Sequence, residues 1–306
     1  MMSKTIRIGT RDSELALWQA HTVQKKLNYL GYQTEIIAVK SQGDIILDKP
    51  LYELGITGIF TKTLDIAMIN GQVDIAVHSM KDVPTALPIG IVQAAVLERA
   101  NTLDILVHKG NLDFLNSEGT IATGSLRRQA QWLNKYPNHN VVDLRGNVNT
   151  RMQKLQENDW NGAIFAAAGL ERINLKPENY IDLNWMIPAP AQGAMVVVAM
   201  ENDAFCKEAL AKLNHTETEI CTHIEREFLK TLEGGCTAPI GSLAKITDNN
   251  IAFEGVLFSL DGKEKHTIKK SCTFDSYKNF GKDCAEEILN KGGSALMESI
   301  RRVLKK

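Results

Sequence analysis

Short apolar, strand-like runs alternate with helical patterns through the first two hundred residues, and this alternation constrains the fold more than any other feature. TIRIGT precedes a helical pattern from Ser13 to Leu30, and TEIIAV precedes one from Phe60 to Asn70. Further strand-like runs are DIAVHS, TIATGS, NVVDLR, GAIFAA and AMVVVAM. Strands separated by helices are typical of mostly parallel sheets with crossover helices, so the sequence predicts an α/β fold.

The last third of the chain has a different pattern. A helix is predicted from about Glu217 to Leu232, followed by three strand-like runs and two helices; the runs are IGSLAKI, NIAFEGVLFS and EKHTIKKSC. A separate α+β domain is therefore expected from about residue 216. Loop-forming residues at 97–104 and 187–193 mark two breaks, which could be one hinge that the chain crosses twice. Residues 40–59 lack convincing periodicity, and a mobile lid is expected there.

Composition limits the partners that this chain can have. A net charge of −1 over 306 residues, without a basic stripe, predicts that nucleic acid is not a partner. No apolar run approaches the roughly 20 residues that span a bilayer, and the first residues contain no signal-peptide hydrophobic region. We expect a cytoplasmic protein that does not use a membrane. The five cysteines include no CxxC pair and suggest neither a metal site nor a disulfide framework.

Arginines recur at one local position, the start of a helix that follows a strand. Arg11 follows the first strand and precedes Ser13, a suitable N-cap for the next helix. Arg127 and Arg128 lie in the first turn of a predicted helix that Ser125 would cap. These sites would lie at the carboxyl ends of strands, where open α/β sheets bind their ligands.

A third such site contains Arg145, at the end of a strand, and Arg151, in the first turn of a helix capped by Asn147 or Asn149. A cation at a helix amino end opposes the helix dipole at a cost of about 0.3–1 kcal/mol. An anionic ligand reverses the balance through charge-assisted bonds of about 1.5–3 kcal/mol each. The pattern predicts a ligand with several carboxylates or phosphates, although any single arginine could be a solvated charge or part of an ion pair. The sequence contains no GxxxxGK[ST] and no GxGxxG after a strand.

The segment HSMKDVP directly follows the strand-like run DIAV and so lies at the same edge as the arginines. Asp82 would stay ionised among cations and could stabilise a developing cation or transfer a proton. It could equally form the turn before Pro84, pairing with Lys81 or capping a helix. We interpret His78, at the end of an apolar strand, as a hydrogen-bonded structural histidine.

Cys236 differs from the other cysteines because loop-forming residues surround it, in LEGGCTAPIG. The two glycines before it permit close backbone approach and exposure of the thiol. A reactive or covalently modified cysteine fits this setting, and so does a thiol packed beneath a turn. The other cysteines are expected to be structural.

Eight segments of the chain resemble, in order and spacing, the porphobilinogen deaminase (hydroxymethylbilane synthase) family: RDSELALWQA, GDIILDK, VHSMKDVP, TGSLRRQAQ, LRGNVNTR, AAAGLERI, PAPAQGA and LEGGCTAPIG. The resemblance covers essentially the whole chain. It implies a transferase of haem biosynthesis that joins four porphobilinogens head to tail, releasing ammonia, to give hydroxymethylbilane. Growth would start from a dipyrromethane cofactor. Each pyrrole ring carries two carboxylates, which agrees with the several anionic groups that the arginine pattern predicts.

The resemblance also implies roles for the matching residues. Cys236 would hold the cofactor through a thioether, and Asp82 would contact pyrrole nitrogens, stabilise the cation formed when ammonia leaves and assist proton transfer. The cofactor would further be bound by Ser79, Lys81, Asp82, Thr123, Ser125, Arg127, Arg128, Arg145 and Gly146. Incoming substrate or the growing chain would be bound by Arg11, Ser13, Arg151, Arg172 and Gln192.

The fold implied by the resemblance has three domains, of which the first two resemble the lobes of type II periplasmic binding proteins with the active cleft between them. The first domain would comprise residues 1–98 and 193–215, the second residues 99–192, and the third, smaller α+β domain residues 216–306. The protein is expected to be a monomer.

One position departs from the family pattern. Many members carry lysine in a G-x-K-G-L-F segment of the lid, whereas this chain has Thr57 there. Thr57 supplies no cation, which puts the lid's part in carboxylate binding in doubt. Lys49 or Lys62 could compensate.

Two other classes of function explain part of the sequence. A non-catalytic, two-lobed binding protein for a dicarboxylate would account for the arginines and the hinge, but not for the third domain or the EGGC loop. A transferase for a phosphorylated ligand would need a phosphate-binding loop that the sequence lacks.

Overall fold

The computed structural model describes residues 4–40, 61–232 and 238–304 of the protein. The strands are β1 (Ile6–Arg11), β2 (Thr34–Val39), β3 (Ile75–Ser79), β4 (Ile91–Val96), β5 (Asp104–His108), β6 (Thr120–Ala122), β7 (Asn140–Val142), β8 (Gly162–Ala166), β9 (Tyr180–Asp182), β10 (Met195–Met200), β11 (Ile240–Thr247), β12 (Asn250–Phe258) and β13 (Lys265–Thr273). The α-helices are α1 (Glu14–Tyr29), α2 (Lys62–Ile69), α3 (Leu126–Lys135), α4 (Val148–Glu157), α5 (Ala167–Arg172), α6 (Ala204–Ala211), α7 (Thr216–Thr231), α8 (Tyr277–Ile288) and α9 (Ser294–Leu304).

The described residues divide into two compact units. The first contains residues 4–40 and 61–100 together with Gly193–Glu219. The second contains Asn101–Gln192 and the described residues from 220 onward. The chain therefore passes from the first unit to the second after Ala100, returns at Gly193 and passes over again after Glu219.

Each unit contains a five-stranded sheet, and the two sheets have equivalent strand orders: β2-β1-β3-β10-β4 and β7-β6-β8-β5-β9. The first three strands of each order are parallel, and the fourth strand is antiparallel to both of its neighbours. Helices α1 and α3 connect neighbouring parallel strands, and α4 connects the parallel strands β7 and β8, which lie on either side of β6. The α/β fold predicted from the sequence is confirmed.

Helix α1 shows why these segments fold onto the sheets. Ala16, Ala20, Val23 and Leu27 follow one another at helical spacing, and all four are buried. Ala20, Val23 and Leu27 belong to the same core as strand residues such as Ile8. Burial of this apolar face, at roughly 25 cal/mol per Å², drives the packing of the helix on the sheet.

The third sheet is smaller and antiparallel, with the order β11-β12-β13. Phe228 of α7 and Phe253 of β12 are buried in its core, with ring centroids 5.2 Å apart. A Cβ at Gly255 would lie 2.6 Å from the ring of Phe228, so the close approach of α7 to β12 requires glycine there. The smaller α+β domain expected in the last third is confirmed.

The buried carboxylate of Glu225 joins α7 to two other segments of the second unit. Its Oε2 accepts a hydrogen bond from the amide of Ala191 (2.6 Å), and its Oε1 accepts one from the amide of Ala244 (2.7 Å). Ala191 has a φ of +62°, which is unfavourable for a residue with a Cβ. The bond to Glu225 therefore helps to hold the segment just before the chain returns to the first unit.

Gly281 of α8 packs directly against the backbone of α7, because a Cβ there would lie 2.0 Å from the carbonyl oxygen of Ile224. We expect Gly281→Ala to destabilise the protein by about 1–3 kcal/mol, since α8 would have to move away from α7. Urea unfolding measures the effect. Asn279→Ala, at an exposed position of the same helix, is the control and should change stability by less than about 0.5 kcal/mol. Equal midpoints for the two variants would contradict this packing.

The cysteines in the described part of the chain are free thiols, and all but Cys272 are buried. Burial raises the pKa of Cys206 to about 12 and that of Cys284 to about 11. Such thiols are poor nucleophiles at neutral pH, which agrees with the structural role expected for them. Among the described helices, none has the length and apolar character needed to cross a membrane.

Candidate active site

A cleft in the first unit lies at the carboxyl ends of β1 and β3. Its polar lining comes from β1, β3, the start of α1 and the turn after β3, and Thr61 adds a hydroxyl before α2: the polar residues are Arg11, Ser13, Gln19, Thr61, His78, Ser79 and Asp82. Four residues predicted as site residues therefore lie together: Arg11, Ser13, Ser79 and Asp82.

Arg11 ends β1, and Ser13 is the N-cap residue of α1 with extended backbone angles, as the sequence predicted. The hydroxyl of Ser13 makes no capping hydrogen bond to the helix. A serine hydroxyl at the N-cap normally stabilises the helix start, so the hydroxyl of Ser13 is available to bind a ligand instead. An arginine and a serine hydroxyl beside the exposed N–H groups of a helix start form a site suited to a carboxylate.

Asp82 ends a short 3-10 turn, Met80–Asp82, that directly follows β3. The amide of Met80 donates to the carbonyl of Ala194 (3.0 Å), and the amide of Val83 donates to the carbonyl of Met80 (3.2 Å). These bonds fix the turn and hold the half-buried carboxylate of Asp82 at the cleft. Lys81 lies in the same turn but does not line the cleft.

His78 is buried at the end of β3, where the sequence suggested a hydrogen-bonded structural histidine, but one of its two ring nitrogens lacks a hydrogen bond among the described residues. Its Nε2 is buried and has no hydrogen-bond partner in the part of the chain that the structure describes. Burial, and secondarily the charge of Arg11, lower the pKa of His78 to about 4. The imidazole is therefore neutral at physiological pH.

In the second unit, Arg127 and Arg128 converge on one buried carboxylate, Asp104, at the start of β5. Nη1 of Arg127 donates to Asp104 Oδ2 at 2.7 Å. Nε and Nη2 of Arg128 donate to Oδ1 at 2.9 and 2.7 Å. Gln192 donates from Nε2 to the same Oδ1 (3.0 Å) and to the carbonyl of Thr102 (2.8 Å). Asp104 and Gln192 are fully buried.

This cluster carries two positive charges and one negative charge among the described residues. Burial lowers the pKa of Arg127, and the charge of Asp104 opposes that effect. Arg128 uses all three guanidinium nitrogens, because its Nη1 also donates to the carbonyl of Ile164 (2.9 Å). A net positive charge in a buried place is costly, so the cluster favours binding of a further anion.

The two turns that carry Ser125 and Arg145 lie side by side. Ser125 caps α3 by accepting from the amide of Arg128 (3.4 Å), and its own amide donates to the hydroxyl of Thr123 (3.3 Å). A Cβ at Gly124 would lie 2.7 Å from the carbonyl of Leu144, so glycine allows the turns to touch. Arg145, next in the chain, is buried, and burial lowers its pKa.

Gly146 has a φ of +116°, a conformation that other residues rarely adopt. Asn147 caps α4 by accepting from the amide of Thr150 (2.9 Å), which selects Asn147 over Asn149. Arg151 therefore lies in the first turn of α4, as predicted. Arg172 instead lies at the carboxyl end of α5, and burial lowers its pKa to about 10.

Two side chains were missed from the sequence: Gln19, which lines the cleft, and Asp104, which binds Arg127 and Arg128. Gln19 donates from Nε2 to the hydroxyl of Ser79 (2.8 Å), and it is a polar residue within the buried apolar face of α1, which is a readable signal. Asp104 heads an apolar strand, and nothing in its spacing links it to the two arginines that it binds.

Some predicted features lie outside the described residues: Cys236, the EGGC loop, Thr57, Lys49 and the predicted lid. No His, Cys, Asp and Glu cluster suited to a metal was found in the ranges that the structure describes.

Sequence comparison assigns the chain to a family. A model described as "Porphobilinogen deaminase, dipyromethane cofactor binding domain" matches residues 6–208, and one described as "Porphobilinogen deaminase, C-terminal domain" matches residues 219–290. The chain belongs to the porphobilinogen deaminase family. The first match contains all the site residues predicted from the sequence except Cys236, and it identifies a dipyrromethane cofactor-binding domain.

Named porphobilinogen deaminases resemble the chain along nearly its whole length. The protein from Chlorobium phaeobacteroides is 38% identical over 98% of this chain and 99% of its own. That from Syntrophomonas wolfei is 39% identical over 98% and 100%, and the chloroplastic protein of Oryza sativa is 40% identical over 97% and 86%.

Solved structures give more distant matches. A nutrient binding protein from Burkholderia cenocepacia, bound to methionine, has a TM-score of 0.44 and 13% identity over 68% of this chain and 90% of its own. A periplasmic substrate-binding protein of an ABC transporter from Coxiella burnetii has a TM-score of 0.42 and 17% identity over 68% and 91%. The α/β fold is assigned from the two five-stranded sheets described above.

Proposed function

We propose that this protein is a porphobilinogen deaminase, a transferase that joins four porphobilinogens head to tail into hydroxymethylbilane with release of ammonia. The observation that carries the proposal is the match of the family's cofactor-binding domain to residues 6–208, the region that contains the cleft and the Asp104 cluster. Porphobilinogen combines two carboxylates with an aminomethyl group, and the cleft combines Arg11 with the half-buried Asp82.

The residues present fit a dipyrromethane cofactor, which has two pyrrole rings and four carboxylates. The buried cluster of Arg127, Arg128 and Asp104 has one positive charge in excess among the described residues, and a cofactor carboxylate would balance it. Bound there, the cofactor would supply the pyrrole carbon from which the chain grows. The protein groups that would hold it are Ser79, Lys81, Asp82, Thr123, Ser125, Arg127, Arg128, Arg145 and Gly146.

Substrate binding and chemistry would use the remaining groups. Arg11 and Ser13 would bind a substrate carboxylate at the start of α1, and Arg151, Arg172 and Gln192 would serve the incoming substrate or the growing chain. Asp82 would stabilise the positive charge that develops on the substrate as ammonia leaves. Its carboxylate could then accept the proton released when the new carbon–carbon bond forms.

Intact mass after denaturation tests the proposal. Cys236 would hold the cofactor through a thioether, so we expect extra mass equal to two linked pyrrole units on the wild type and none on Cys236→Ala. Cys272→Ala is the control, since Cys272 is a free thiol in β13 and should leave the mass and turnover unchanged. An unmodified wild-type chain that does not consume porphobilinogen would refute the function and favour an anion-binding protein.

Three further predictions remain part of the proposal. The domains would comprise residues 1–98 with 193–215, residues 99–192 and residues 216–306, which three sheets without a shared strand support. The protein would act as a monomer, and it would act in the cytoplasm without nucleic acid or a membrane as partner.

A further inference from the structure

His78 is a buried polar group whose hydrogen bonding is incomplete. It is 6% exposed, and no group within the described ranges bonds to its Nε2. Buried polar atoms are nearly always paired in folded proteins, because water is lost without replacement when they are not. An exception beside a cleft indicates that a bound ligand provides the missing partner.

The side chains around His78 do not satisfy it. The nearby hydroxyl of Ser79 accepts from Gln19, at 2.8 Å. Val77 is apolar, and Val196 is the backbone partner of His78 in the neighbouring strand β10. His78 itself lines the cleft together with Arg11 and Asp82, so a ligand bound in that cleft is the candidate partner for the unpaired nitrogen.

Burial, and secondarily the charge of Arg11, keep His78 neutral. The charged groups that line the cleft with it are Arg11 from β1 and Asp82 from the turn after β3, while α1 contributes the uncharged Ser13 and Gln19. Burial, and then the charge of Arg11, hold its pKa near 4. A neutral imidazole offers one N–H and one lone pair, so it can donate to an anion without bringing a second cation beside Arg11.

We propose that His78 is a substrate-binding residue whose Nε2–H donates a hydrogen bond to the substrate carboxylate held by Arg11. This inference rests on the proposed function and adds a residue to its substrate site. It accounts for the unpaired nitrogen, because the ligand completes the hydrogen bond that the protein lacks.

Three substitutions at position 78 test whether His78 contributes to substrate binding or to folding. His78→Leu removes the polar group, His78→Gln places an amide nitrogen near the position of Nε2, and His78→Asn places one near Nδ1. We expect KM for porphobilinogen to rise about ten- to a hundredfold in the Leu and Asn variants with little change in kcat, as when uniform binding is lost. The Gln variant should stay within about threefold of the wild type.

Although His78→Leu should weaken substrate binding, it should not lower the stability of the protein. His78→Leu replaces an unpaired polar group, so the urea midpoint of the substrate-free protein should stay unchanged or rise. The matched control is His139→Leu, because Nδ1 of His139 accepts from Nε1 of buried Trp132 at 3.2 Å, whereas its Nε2, like that of His78, is buried and has no hydrogen-bond partner among the described residues. That variant should lower the midpoint and leave KM unchanged.

The outcomes distinguish this inference from the function on which it rests. If the wild type consumes porphobilinogen and His78→Leu lowers the midpoint without raising KM, His78 is structural and the inference is wrong. Equal increases in KM for the Gln and Leu variants would also overturn it. A wild type that does not consume porphobilinogen overturns the proposed function, and the inference with it.

Discussion

Asp104→Asn should lower the free energy of unfolding by about 3–5 kcal/mol, because it removes the carboxylate that balances two buried arginines. Asp104 is fully buried and accepts three bonds from Arg127 and Arg128 at 2.7–2.9 Å. Asparagine keeps one acceptor oxygen but turns the other into a donor, which would face a guanidinium. Two positive charges would then remain in a place that water does not reach.

Urea unfolding at constant m-value measures the loss. The matched control is Asp261→Asn, since the side chain of Asp261 is 56% exposed and its ion pair with Lys263 spans 3.7 Å. Exposed pairs of this kind contribute less than about 1 kcal/mol. A loss below about 1 kcal/mol for Asp104→Asn would mean that another anion balances the arginines.

The Asp104 cluster also marks the limit of what the sequence could predict. The arginines were read as ligand-binding groups from their position in the first turn of α3, and that position is correct. Their partner could not be inferred, because Asp104 precedes them by more than twenty positions and meets them only through the order of strands β6, β8 and β5. Local spacing predicts helix starts, whereas contacts between distant strands depend on topology.

The same difference between local patterns and distant contacts explains which parts of the fold the sequence predicted. Runs rich in β-branched residues identified β1, β2, β3 and β10, and helical spacing identified α1. Strand β9 was not predicted, because its three residues YID lie among polar and loop-forming residues in KPENYIDLN, whereas the equally short β6 and β7 lie in the apolar runs TIATGS and NVVDLR. The antiparallel fourth strand of each sheet was also not expected, because the direction of β5 and β10 follows from how the chain passes between the units. The helix caps Ser125 and Asn147 were readable, since capping is local.

Asp82→Asn should reduce kcat by about a hundred- to ten-thousandfold, the range typical for loss of a positioned acid–base group. Asp82 is the carboxylate that lines the cleft among the described residues, and the turn that carries it is fixed by the bond from Met80 to Ala194. The amide retains the shape of the side chain but neither stabilises a cation nor accepts a proton. Stability should change by less than about 0.5 kcal/mol, because the turn's backbone bonds do not involve the carboxylate.

Turnover of porphobilinogen, measured beside the urea midpoint, tests this expectation. Asp113→Asn provides the control, since Asp113 starts another 3-10 turn, is exposed and lies outside the cleft. It should retain full activity. Asp82→Glu refines the test: it keeps the charge but moves it by about one carbon–carbon bond, and a misplacement near 1 Å can cost about a hundredfold. Wild-type turnover in Asp82→Asn would show that the negative charge is supplied by another group, and the role assigned to Asp82 would have to be abandoned.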